Sequence, residues 1–143
     1  LAGYYTDKQL PGVGISIGLT RLFYVLDEQG LLNPELPTAP CDALVLPMGV
    51  EAAPAAALAQ QLREKGLRVQ LYGENKKFKQ KMAYADKLGV KFAVLLGTDE
   101  LEAGNCSVKN MATGEQVKLS PADAAAHIKA ALAANNGPVI LEK

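Results

Sequence analysis

The chain has 143 residues, 49% of them apolar and 21% charged, which suits one domain with a real core plus a short appendage and excludes a disordered segment. Fifteen basic residues balance fifteen acidic ones, so a globally basic nucleic-acid binder is excluded and any RNA contact must rest on local charge. No apolar run approaches the roughly 20 residues of a membrane span, and Leu1-Ala2-Gly3-Tyr4-Tyr5 lacks the basic flank and apolar stretch of a signal peptide.

In chain order, Val13-Gly14-Ile15-Ser16-Ile17 alternates as a strand, Gly18 makes a tight turn, and Leu19, Leu22, Phe23 and Leu26 recur at helical spacing. The three prolines of the stretch 33–40 (Pro34, Pro37, Pro40) fix φ and remove donors, which makes it a semi-rigid linker. Ala43-Leu44-Val45-Leu46-Pro47 is a continuous apolar run, as expected of a strand covered on both faces. Pro54 stands in the first turn of a helix with Ala55, Leu58, Ala59 and Leu62 inward and Gly66 as its stop. A second strand follows over 67–72. The next helix carries Phe78, Met82, Ala85 and Leu88 on one face and ends at Gly89. Phe92-Ala93-Val94-Leu95-Leu96 is a third buried strand.

After Gly97 the pattern changes. Two short strands over 105–109 and 116–119 flank Ala112-Thr113-Gly114-Glu115, a hairpin turn with Gly where φ > 0 is required. Ser120-Pro121-Ala122-Asp123 supplies an N-cap, a proline at the first helical position and a first-turn acid for a last helix running to about Ala134. The order βαβαβ, ββ, α demands parallel crossovers followed by antiparallel strands. The fold class is α/β: a five-stranded mixed sheet flanked by three helices, preceded by a strand–helix piece.

Cys41 and Cys106 lie far apart with no Cys-x-x-Cys spacing, and His127 is the sole histidine, so no metal set is expected. The thiols read as buried small hydrophobes and the histidine as a surface residue. No Ser/His/Asp or Cys/His set and no carboxylate dyad stands out.

Three features could carry chemistry, each with a plain structural alternative. The glycines of the segment 12–18 would let a planar ligand or a neighbouring backbone approach, and Arg21 in the following first turn suits an anion; packing explains them equally. The segment from Glu74 to Tyr84, with Lys76, Lys77, Lys79, Lys81 and later Lys87, is a helix flank fit for phosphates, and Lys77, Lys81 and Tyr84 share one side. It could also be a solvated face. The loop Pro47-Met48-Gly49-Val50-Glu51 follows the first buried strand, at the sheet rim where open α/β folds gather ligands; Glu51 could read exocyclic amines, or the loop could be a plain connection.

Gly12-Val13-Gly14-Ile15-Ser16-Ile17-Gly18-Leu19-Thr20-Arg21-Leu22 resembles motif 3 of class II aminoacyl-tRNA synthetases in its histidyl form. The segments 78–90, 96–104 and 108–116 resemble that family's anticodon-binding domain, so the resemblance covers nearly the whole chain. It implies residues 1–40 as a C-terminal remnant of a catalytic domain plus linker, and 41–143 as an anticodon-binding domain. The chain does not begin with methionine, and motifs 1 and 2 are expected before Leu1, in a longer parent.

The resemblance further implies a parent that is a cytoplasmic, homodimeric histidine–tRNA ligase using ATP with Mg, while the piece alone catalyses nothing and needs no cofactor. Arg21 matches the ATP-contacting arginine, and Gly12, Gly14 and Gly18 the strand flooring that site; Thr20 departs from the family's glutamate. The implied partner is the anticodon stem-loop of histidine tRNA, neither DNA nor a membrane. It would be met by Met48, Gly49, Glu51, Tyr72, Lys76, Lys77, Lys79, Gln80, Lys81 and Tyr84, with Lys81 where many of the family have glutamine. A non-catalytic tRNA-binding paralogue is the alternative, and a small α/β enzyme a further one. The apolar residues before the linker are expected to pack on the domain or on a second copy of the chain.

Overall fold

A computed structural model of the chain describes residues 4, 5, 7, 8, 12–34 and 39–133. The described residues fall into two compact units, one through Pro34 and the other from residue 39 on.

The first unit holds helix α1 (Leu19–Glu28). The strand expected over 13–17 does not form: the segment joins no ladder, and Val13 is 96% exposed. A single alternating segment has nowhere to place its backbone hydrogen bonds without a neighbouring strand. Leu22, Phe23, Tyr24 and Val25 are also exposed and Leu26 half-buried.

The second unit is a five-stranded sheet of order β2-β1-β3-β4-β5. It is built from β1 (Ala43–Met48), β2 (Val69–Leu71), β3 (Phe92–Gly97), β4 (Cys106–Asn110) and β5 (Gln116–Leu119). β1 pairs parallel with β2 and β3, with Ala43 opposite both Val69 and Phe92; β3–β4 and β4–β5 are antiparallel. The mixed sheet expected from the sequence is therefore present.

Strand parity sorts the core into two layers. Ala43, Val45, Phe92, Val94, Leu96, Cys106 and Val108 face α2 (Ala52–Glu64) and α5 (Pro121–Ala133), through Leu58, Leu62 and Ile128. Leu44, Leu46, Ala93 and Leu95 face α3 (Phe78–Leu88), through Ala85 with Met82 and Leu88. Both central strands are thus covered twice, which is why they read as unbroken apolar runs. Three helices flank the sheet as expected, and a short fourth, α4 (Thr98–Glu102), follows β3. Phe78 departs from expectation: at the first position of α3 it is 46% exposed rather than core.

The local signals act as their chemistry requires. Asn110 Oδ1 accepts from the Ala112 and Thr113 N–H groups, and Gly114 takes φ +77°, closing the hairpin. Ser120 Oγ accepts from the Asp123 N–H at 3.2 Å, capping α5. Both cysteines are buried and free, and burial pushes the Cys106 thiol up to about 11.

One polar network crosses the α4 corner. Glu100 accepts from the Gly97 N–H at 3.2 Å, Ser107 Oγ at 3.0 Å and Lys118 Nζ at 3.2 Å, joining α4, β3, β4 and β5. The Lys118 ammonium and then the Ser107 hydroxyl hold its carboxyl below the usual carboxylate range.

Two outcomes follow from this packing. Phe92→Ala should lose about 3–5 kcal/mol in chemical denaturation, since the ring is almost wholly buried between sheet and α5. Because the folded-state pKa of Glu100 is depressed, its stabilisation is present above the ordinary glutamate value and lost as pH falls through the folded one. The stability gap between wild type and Glu100→Gln should therefore be full at neutral pH and shrink below about pH 4; a gap independent of pH would contradict the network.

Candidate functional site

The parallel pairing of β1 with β2 brings the C-terminal ends of both strands to the same edge, so the loops after them meet. The loop after β1 turns at Gly49, whose φ of +73° a side chain would strain. The loop after β2 runs from Tyr72 to Lys77, where α3 begins. Between them lies a cleft of about 410 Å³ bordered by Pro47, Gly49, Glu51, Tyr72, Glu74 and Lys81, among others.

The floor and wall of this cleft are fixed by specific contacts. Lys81, though a lysine, is only 5% exposed, and its Nζ donates to the Pro47 carbonyl at the end of β1. The same ammonium lies 5.8 Å from the centroid of the Tyr72 ring, a cation–π distance. Tyr72 in turn meets Tyr84 edge-on, with ring centroids 5.2 Å apart. Gln70 Nε2 donates to the Tyr84 hydroxyl at 3.0 Å, so β2 holds the outer ring in place. Burial, then the Glu74 carboxylate, pushes the Tyr72 phenol up, so it stays neutral.

Of the residues singled out in the sequence, Gly49, Glu51, Tyr72 and Lys81 border the cleft, and Tyr84 meets Tyr72. Gly49 and Glu51 are exposed at the mouth; Met48 is half-buried against the α3-side core. Lys76, Lys77 and Lys79 are exposed around the start of α3. Gln80 Oε1 accepts from the Lys77 N–H at 3.3 Å, a helix-capping contact that occupies the side chain locally. Tyr84 is 37% exposed. The flank shared by Lys77, Lys81 and Tyr84 is not uniform, because Lys81 points into the protein rather than toward solvent. An ammonium this covered stands away from the phosphates of a ligand outside, which overturns the expectation that it serves as one more surface charge.

Glu74 and Asn75, at the head of the segment 74–84, also line the cleft, though neither was among the residues expected to meet RNA. The Gly73-Glu74-Asn75 turn composition after β2 was the available signal.

Gly12, Gly14, Gly18 and Arg21 belong to the other unit. All four are exposed; Gly18 is the N-cap of α1 and Arg21 stands in its first turn. Among the described residues no group of three or more His, Cys, Asp or Glu could hold a metal ion, and no helix is long and apolar enough to cross a membrane.

A family model described as the anticodon binding domain matches residues 42–131. Histidine–tRNA ligase of Clostridium tetani is 45% identical over 129 residues, 90% of this chain and 29% of that protein. Its counterpart in a Nostoc species is 42% identical over 130 residues, 90% of this chain and 28% of that protein. The crystal structure of histidyl-tRNA synthetase from Nostoc superposes with a TM-score of 0.68 at 40% identity, covering 81% of this chain and 28% of that one. The RNA binding domain of threonyl-tRNA synthetase from Cryptosporidium parvum, at a TM-score of 0.60 and 17% identity over 67% of this chain and 25% of that one, shares the fold alone. The chain spans less than a third of the length of these relatives.

Within one helix, the two kinds of lysine should separate cleanly by mutation. Lys81→Ala leaves the Pro47 carbonyl without its donor and opens a gap beside Tyr72, and should lower stability by about 2–3 kcal/mol. Lys77→Ala should stay within about 0.5 kcal/mol of wild type, as exposed positions do. Equal effects in thermal or urea unfolding would contradict the assignment of Lys81 as a buried tie.

Proposed function

This chain belongs to the anticodon binding domain family, and from that membership we propose that it is the anticodon-reading part of a histidine–tRNA ligase. The observation that carries the reading is the cleft at the ends of β1 and β2, whose Glu74–Asn75 border runs directly into the exposed lysines Lys76, Lys77 and Lys79 at the start of α3, in a chain of zero net charge. Charge gathered at one rim suits a polyanion that docks there, with phosphates outside and bases inside. Lys76, Lys77 and Lys79 hold the phosphates of the anticodon stem-loop of histidine tRNA. Tyr84 offers a ring face for base stacking, and the Met48–Glu51 loop and Tyr72 supply discrimination.

The parent, in this reading, is a cytoplasmic homodimer that activates histidine with ATP and Mg and transfers it to tRNA. Residues 1–40 are then the end of its catalytic domain and the linker, and 41–143 its anticodon-binding domain. Arg21, exposed in the first turn of a helix capped by Gly18, fits a nucleotide phosphate. With Gly12, Gly14 and Gly18 it supplies one wall of such a site. When bound in the parent, ATP supplies the activated phosphate; this chain's own part there is to hold and orient it. Histidine-dependent ATP–pyrophosphate exchange by the chain alone should be undetectable.

The binding reading is tested by titrating fluorescently labelled stem-loops at two salt concentrations with wild type and with Lys76→Ala/Lys77→Ala/Lys79→Ala. The triple variant should bind more weakly, its log K against log salt shallower by about 0.7–0.9 for each lysine that had met a phosphate. Unchanged affinity and slope would make these lysines a plain solvated face. A scrambled anticodon bound as tightly as the native one would favour a tRNA-binding paralogue that does not read the anticodon.

A further inference from the structure

We propose that Lys81 is a specificity-determining residue, reading an exocyclic keto oxygen of the base that enters the cleft. This rests on the anticodon-binding reading and goes beyond it by assigning a chemical class to one base position.

The argument starts from where the ammonium is. Lys77, Lys79 and Lys87 of the same stretch are exposed, whereas Lys81 is 5% exposed and borders the cleft. An ammonium has three donors. One meets the Pro47 carbonyl, and the face of Tyr72 lies 5.8 Å away. Among the described residues no carboxylate pairs with it: Glu51 and Glu74 border the same cleft, but Glu74 lies 3.9 Å from Lys76 instead. The ammonium therefore holds donors that no described residue is seen to accept, at the border of the cleft.

A base with a keto oxygen at the position that meets the ammonium, guanine through O6 or uracil through O4, accepts from it. A base with an amino group at that same position, adenine through N6 or cytosine through N4, sets donor against donor and leaves the covered charge unmatched. Rejection of this kind is steep because a covered charge is left without an acceptor. The contact to Pro47 and the Tyr72–Tyr84–Gln70 chain hold the ammonium and its wall in one place, so the donors are aimed before the ligand arrives.

The test is fluorescence anisotropy on histidine-tRNA stem-loops with one anticodon base at a time changed, adenine for guanine or cytosine for uracil. Wild type should lose roughly tenfold in affinity at one position or more. Lys81→Met, which keeps the length and the packing, should bind the keto and amino loops of one such position within about twofold, while keeping wild-type preferences elsewhere. Lys81→Arg should restore a preference there. Thermal unfolding is read for each variant, and Lys81→Gln, whose amide can still donate to Pro47, replaces Lys81→Met if that variant does not fold. Wild-type discrimination retained by the uncharged variant at every position, or a uniform weakening that leaves each keto-to-amino ratio unchanged, would overturn the proposal and leave the anticodon reading standing. Wild type binding every loop alike, a scrambled one included, would overturn both.

Discussion

Burial of β1 and β3 on both faces is the constraint from which the rest of the second unit follows. Leu44 and Leu46 can leave water only if α3 covers one side of the sheet, and Val45 and Phe92 only if α2 and α5 cover the other. With helices on both faces, each connection between parallel strands must climb over the sheet and return to the same end. The loops that leave β1 and β2 are thereby set side by side at one edge. The cleft is a consequence of that arrangement rather than an addition to it. Changing an exposed lining residue such as Glu51 or Asn75 leaves the layers untouched, whereas removing a layer residue would move both loops together.

A second constraint is electrostatic. A chain of zero net charge gains little from long-range attraction to RNA, so the positions of its few clustered lysines decide what it can hold. Three of them stand exposed where α3 begins, and one is turned inward to tie α3 to β1. The same side-chain type thus serves two physical ends. Exposed ammonium groups release counterions and bind without regard to sequence. A covered ammonium cannot do this, but its donors have fixed directions, and direction is what base discrimination needs.

The fold was legible wherever a local signal and the tertiary structure agree. The apolar runs at 43–47 and 92–96, the Gly114 turn and the Ser120 cap are each what the sheet and helices require at those places. The short helix α4 was not legible, because Thr98-Asp99-Glu100-Leu101-Glu102 has too few apolar residues to show a period, and its contacts are polar. Residues 13–17 alternate as a strand does, yet alternation describes a face and not the partner edge that a ladder needs. Lys81 lies at inward helical spacing with Ala85, so its position pointed to burial while its residue type pointed to solvent. Spacing decided, because the Pro47 carbonyl and the Tyr72 ring give the ammonium a place to go. Phe78 shows the reverse: its type suggests the core, but the first position of α3 lies beyond the layer that Met82, Ala85 and Leu88 fill.

The account stands on the claim that RNA enters the cleft between the loops after β1 and β2. Amide chemical-shift mapping of the isotopically labelled chain, titrated with the histidine-tRNA anticodon stem-loop, tests that claim most directly. The predicted result is a contiguous set of perturbed amides at Gly49, Glu51, Tyr72, Gly73, Asn75 and Lys81, with those of β5 and the exposed face of α5 unmoved. Perturbations centred on β5 or α5, with the Gly49 and Gly73 amides silent, would contradict it.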